Sequence, residues 1–183
     1  HFQEAALLDM DRFVEDCRAA IRTDPTHKSA HEVIKRAFAD PAAVLAAVGD
    51  PADSSLKPIY RAKDLTILNV VWKPGAIIRP HDHRIWAVIG VYTGREDNIF
   101  WRRIKDDSKG RVEAAGADTL APGDVIPLGR DIVHSVINPT GKFTGAIHVY
   151  GGDFFEVERS EWDPETLVEA PYDMAKTRAM FAR

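Results

Sequence analysis

Apolar positions in the first fifty residues recur at helical spacing. Between residues 4 and 22, Leu7, Met10, Phe13, Val14, Cys17 and Ile21 fall at steps of three and four and so share one face of a helix. Ala30, Val33, Ile34, Ala37 and Phe38 repeat the pattern over residues 29–38 and predict a second helix. A third is expected from Pro41 to Val48, with Asp40 as N-cap, Pro41 at the first helical position and Gly49 just past the end. Beyond Pro51 the texture changes. Short β-branched and aromatic runs alternate with Gly, Pro, Asp and Asn, which predicts strands at 65–72, 85–92, 98–104, 112–115, 124–127, 133–138 and 145–150, with another around 154–157. Many short strands at this spacing predict a sandwich or barrel, and residues 172–181 could form a closing helix.

The chain has 183 residues, 45% of them apolar, which suits one domain with a sizeable core. The expected organisation is a single domain over 1–183, with a helical segment at 1–50, a β-barrel at 59–158 and a C-terminal extension at 159–183. The net charge of −4, with Lys and Arg scattered, offers no extended footprint for a nucleic-acid backbone. No stretch approaches the roughly 18 consecutive apolar residues of a membrane span, and no basic segment followed by an apolar signal core opens the chain, so a cytoplasmic protein with no membrane partner is expected. Cys17 is the single cysteine; it cannot form an intrachain disulfide and reads as buried packing on the first helix.

Candidate chemistry changes this bland picture. Gly75, Pro80, His81 and His83 place two imidazoles two residues apart at a strand edge, and in an extended strand such residues face the same side. His134 lies on another strand and, by alternation, points to one face of it. Neutral imidazole suits iron, copper, nickel or zinc, whereas magnesium and calcium want oxygen ligands. A lone histidine is more often a surface or hydrogen-bonded group than a ligand. The pair, its Gly and Pro setting and the His134–Asn138 spacing together favour one metal site.

At these residues the chain resembles the cupin superfamily. Gly75, His81, His83 and Gly94 match the first cupin motif; Gly123, Pro127, His134 and Asn138 match the second with slightly altered spacing. The resemblance implies a mainly β, double-stranded β-helix jelly roll, preceded here by α-helices, with a metal in its mouth. It departs from the superfamily where the usual motif glutamate is replaced by Ala87 or Val88. A set of three neutral histidines would leave a divalent ion its full charge, favouring an anionic ligand such as a thiolate. In this the chain is similar to the cysteine dioxygenase and 3-mercaptopropionate dioxygenase group, whose members hold Fe(II) with three histidines and use O2. Trp72, Trp86, Gly90 and Tyr92 add to the likeness, as do His148 and Tyr150, which match a Ser-x-His-x-Tyr relay in which Ala146 stands for the serine. No cysteine is placed to crosslink to the tyrosine, as in the bacterial branch.

What this resemblance implies is oxidation of a small thiol to its sulfinate, with His81, His83 and His134 as metal ligands and Tyr150 with His148 steering proton transfer. A carboxylated thiol needs a cationic anchor, and Arg offers a forked match to carboxylate. Tyr60 and Arg61 sit roughly where cysteine dioxygenases carry their substrate-binding pair; Arg84 and Arg159 are lesser candidates, and of Arg102 and Arg103 at most one can face inward. The same centre could instead cleave a diketone or aromatic acid, serve a zinc isomerase, or belong to a non-enzymatic ligand-binding cupin. Cupins often pair, so a homodimer is in keeping with the resemblance.

Overall fold

The computed structural model describes residues 6–182. Three helices come first: α1 (Met10–Thr23), α2 (His27–Phe38) and α3 (Pro41–Val48). Eleven strands follow: β1 (Ser55–Arg61), β2 (Thr66–Trp72), β3 (Ile77–His81), β4 (Ala87–Thr93), β5 (Glu96–Arg103), β6 (Val112–Leu120), β7 (Val125–Leu128), β8 (Val133–Ile137), β9 (Thr144–Tyr150), β10 (Ser160–Trp162) and β11 (Glu169–Pro171). A last helix, α4 (Met174–Phe181), closes the described chain.

Capping chemistry sets the helix starts and corrects two of the expected ones. Residue 4, the expected start of the first helix, lies outside the described residues, and 6–9 are not helical. The Asp9 carboxylate accepts from the Arg12 amide and starts α1 at Met10, leaving Leu7 off the buried stripe. Thr26 caps α2 two residues before the expected start. Asp40, Pro41 and Gly49 act at α3 as the sequence predicts. The expected strand at 154–157 is a turn instead, because the Asp153 carboxylate accepts from the Phe155 amide while its carbonyl accepts from Glu156 and Val157.

Strand pairing is nested: β2 with β9, β3 with β8, β4 with β7 and β5 with β6, all antiparallel. A single long hairpin whose strands pass alternately between two sheets produces this order, which is the double-stranded β-helix, or jelly roll. The first sheet runs β1-β2-β9-β4-β7 and the second β11-β10-β3-β8-β5-β6. β1 and the β10–β11 pair thus extend the sheets beyond the expected 59–158 barrel, covering edges that would otherwise be open.

The alternation of side chains across the first sheet divides the apolar residues between two cores. Leu68, Val70, Trp72, Ile89, Ala146 and Tyr150 face the interior between the sheets. Ile67, Val88, Ile147 and Val149 face outward, where Phe13, Cys17, Ile34 and Phe38 of α1 and α2 cover them. Both faces of β2, β4 and β9 are therefore dry, which explains why these strands read as continuous apolar runs. Phe38 packs so tightly on β4 that a Cβ at Gly90 would lie 2.8 Å from its ring. Among the described residues no helix is long and apolar enough to cross a membrane.

Candidate metal centre

The jelly roll brings His81, at the end of β3, directly opposite His134 of β8. β3 ends at His81, so His83 lies in the chain just beyond it rather than within a strand, yet its ring still turns to the same side. Ring centroids are 5.0 Å apart for His81–His83, 4.6 Å for His81–His134 and 5.1 Å for His83–His134. One ligand nitrogen from each lies within 4.8 Å of the others. All three residues are buried.

Hydrogen bonds settle two tautomers. A carbonyl can only accept, so His81 Nδ1, 2.9 Å from the Arg79 carbonyl, carries the proton and leaves Nε2 free. His134 Nδ1 donates in the same way to Asn98 Oδ1 at 2.7 Å, and its buried Nε2 has no partner. His83 Nδ1 is buried and unpartnered as well. Burial pushes the His81 and His83 pKa values well below the ordinary range, helped by His134 for the first and by His81 for the second. Burial and then the Arg159 charge bring His134 down to about 4. Three neutral imidazoles with orphaned nitrogens converging on one point are the donor set of a divalent ion of the iron-to-zinc series, and the residues fit such an ion.

No carboxylate joins them in the cluster among the described residues. Ala87 and Val88, where the resemblance places the missing motif glutamate, are both fully buried in β4. Asp82, between the two histidines, turns away: its carboxylate accepts from the Ser160 amide at 2.8 Å and from Arg84 Nε at 3.3 Å.

On the facing sheet, His148 and Tyr150 alternate inward along β9, and His148 Nδ1 lies 2.8 Å from the Tyr150 hydroxyl. The Tyr150 ring stands 5.1 Å from that of His83. Burial, followed by His134, brings the His148 pKa down to about 3, and burial pushes the Tyr150 hydroxyl above its ordinary value, so both are neutral at physiological pH. These two and the three histidines line one cavity of about 30 Å³, together with Trp72, Phe154, Tyr172 and Phe181 among others.

The structure does not bring Tyr60 or Arg61 to this cavity. Arg61 is bonded near the surface to Asp153 and Glu156, and Tyr60 packs on the helical side, with Arg18 over its ring. Arg102 and Arg103 both stay exposed, on Glu113 and Glu169. Arg84 is half exposed and tied to Asp82 and Ser160. Arg159 is the buried cation. It is 5% exposed, its guanidinium lies 4.2 Å from the Phe154 ring centroid and 3.9 Å from that of Tyr172, and both rings line the cavity. Nη1 donates to the Asp82 carbonyl at 3.4 Å, and Nη2 has no partner.

Sequence reasoning did not pick out Asn98, Glu96, Tyr172 or Phe181. The signal for the first two is weak, because Asp97, Arg102 and Arg103 make β5 polar at other positions too; residues 172–181 read as a closing helix, but nothing local places Tyr172 and Phe181 at the mouth.

A scan of the sequence against known protein families finds none that matches. Among solved structures, oxalate decarboxylase from Bacillus subtilis is 18% identical with a TM-score of 0.42, over 57% of this chain and 27% of that one. The chain therefore spans about a quarter of that enzyme, which has Mn(II) centres. An RmlC-like cupin with a double-stranded β-helix fold from Methanocaldococcus jannaschii is 9% identical, TM-score 0.46, over 58% of this chain and 87% of that one. KdgF from Halomonas sp. is 18% identical, TM-score 0.41, over 52% and 76%. Its own strand order and histidine geometry make the chain a double-stranded β-helix jelly roll whose mouth carries a three-histidine cluster suited to one divalent metal ion.

Proposed function

We propose that this protein is an iron(II) dioxygenase that converts a small thiol carboxylate to its sulfinate. The observation that carries the reading is the charge pattern of the mouth: three neutral histidines with no carboxylate among them, beside a buried arginine with a free N–H edge. Such a pocket is cationic once loaded and favours an anionic ligand at the metal and a second anionic group nearby. A thiol carboxylate supplies both.

His81, His83 and His134 would hold Fe(II), which would supply Lewis-acid and redox chemistry for a thiolate and dioxygen. The overall change is R–S⁻ + O2 → R–SO2⁻: sulfur gives up four electrons, the O–O bond breaks and both oxygens are retained in the product. The protein's own residues bind and orient. The Arg159 fork meets the carboxylate, held flat between Phe154 and Tyr172 so that little rotamer freedom is lost on binding. The Tyr150 hydroxyl keeps its proton because it is buried, and its hydrogen bond to His148 orients it. Trp72, Tyr172 and Phe181 add apolar surface to the cavity wall, which limits the water beside the reacting groups.

The test is oxygen uptake by the iron-loaded protein with cysteine, 3-mercaptopropionate, cysteamine and a diketone, with products identified by mass spectrometry. Sulfinate from a carboxylated thiol is expected, with a KM raised at least tenfold in Arg159→Ala and little changed for cysteamine, which lacks the carboxylate. Uptake with the diketone and none with any thiol would overturn the reading in favour of carbon–carbon cleavage.

A further inference from the structure

β5 carries two buried polar residues that touch no substrate-facing surface and are bonded to each other. Glu96 and Asn98 alternate inward, and both are fully buried. Glu96 Oε2 accepts from the Trp72 indole N–H at 3.1 Å, and Oε1 accepts from the Asn98 amide Nδ2 at 3.0 Å. Asn98 Oδ1 in turn accepts from His134 Nδ1 at 2.7 Å.

We propose that Glu96 is a positioning residue that locks the tautomer of His134 by fixing which way the Asn98 amide faces. The inference rests on the metal reading of the histidine cluster and is independent of the substrate.

Each link leaves one choice. An indole N–H only donates, so the carboxylate oxygen facing Trp72 must accept. A carboxylate with both oxygens accepting requires the Asn98 group beside it to be NH2, and the carbonyl of that amide then has to face His134. Facing an acceptor, His134 places its proton on Nδ1, and the Nε2 lone pair is left toward His81 and His83, where an ion binds. Burial is the larger effect and raises the Glu96 pKa above the ordinary carboxylate value, the Asn98 and Trp72 N–H bonds offsetting part of it, and the chain of choices is that of the ionised carboxylate. If the amide were reversed, NH2 would face His134, the proton would sit on Nε2, and every metal-binding event would first have to remove it. Loss of an outer hydrogen-bond partner of this kind typically weakens metal binding about 10- to 100-fold.

Two variants separate locking from packing. In Glu96→Gln one side-chain position becomes a donor. If its oxygen serves Trp72, its NH2 meets Asn98, which must reverse and offer NH2 to His134. In the double variant Glu96→Gln with Asn98→Asp every group is satisfied again: indole to amide oxygen, amide NH2 to carboxylate, carboxylate to His134 Nδ1–H. The measurements are long-range 1H–15N correlation of the metal-free, 15N-labelled protein, which reads the protonated ring nitrogen of His134, and zinc(II) affinity by competition with a chelator. The wild type is expected to show Nδ1–H and a free Nε2. Glu96→Gln should gain the Nε2–H form and bind zinc 10- to 100-fold more weakly, and the double variant should restore Nδ1–H and recover most of the affinity. Unchanged tautomer and affinity in Glu96→Gln, or a double variant as impaired as the single one, would overturn the proposal. A wild type with Nδ1–H that binds no zinc would instead count against the metal reading while leaving the lock in place.

Discussion

At the scale of single residues, the three histidines are ordinary in type and unusual in state. Each is buried and neutral, and two have a proton fixed on Nδ1 by an oxygen acceptor. His83→Ala removes one of three ligands and is expected to abolish stoichiometric iron binding, measured by metal analysis after gel filtration, while far-ultraviolet circular dichroism stays unchanged. The depressed pKa values also set a pH dependence for the metal-free protein. His134 and His148 titrate at about 4 and about 3 in the folded chain and at about 6.5 when unfolded. Between about 6.5 and 4 the unfolded chain takes up protons that the folded chain refuses, so stability is lost as pH falls through that window. The melting temperature of apo-protein should drop from pH 7 to pH 4.5, and His148→Gln should shrink the drop; a melting temperature flat across that range contradicts the assignment. The histidine cluster was legible from residue types and spacing, whereas the burial of Arg159 was not. Arg61 and Arg159 look alike in one dimension, and only burial between Phe154 and Tyr172, against a surface contact with Asp153 and Glu156, tells them apart. Arg61→Ala is accordingly expected to leave the KM for thiol carboxylates within about twofold of wild type.

At the scale of elements, legibility followed burial. β2, β4 and β9, dry on both faces, were readable as apolar runs, and α3 was readable from its caps. β1 and β3 carry Pro58 and Pro80, which remove ladder donors and weaken a strand pattern; the fold accepts Pro58 because β1 is an edge. β10 and β11, of three residues each, are strands only by pairing and leave no local periodicity. The turn at 154–157 reads as a strand from its apolar residues because the Asp153 bonds that shape it are invisible to a period. Helix α2 anchors the outer core through Phe38, on the face of the first sheet away from the histidines. Phe38→Ala should cost about 3–5 kcal/mol, read as a lower denaturant midpoint, while zinc affinity of the folded protein is unchanged.

At the scale of the whole molecule, the rolled hairpin does two things at once. It pairs His81 with His134 across one sheet, and it turns His148 and Tyr150 toward them from the other. The chain after the barrel then comes back to the mouth, where Tyr172 and Phe181 help line the cavity. The helices and the roll could be anticipated from periodicity and motif, but this return could not, since it depends on Arg79 gripping the Asp173 carbonyl and Thr177 from β3. In the proposed function this mouth holds a three-histidine iron centre that oxygenates a thiol. The most direct test is parallel measurement of oxygen consumed and sulfinate formed by the iron-loaded protein with 3-mercaptopropionate or cysteine, beside His83→Ala. One sulfinate per O2, lost in the variant, is the predicted result. No uptake with any thiol by protein of confirmed iron content would contradict it.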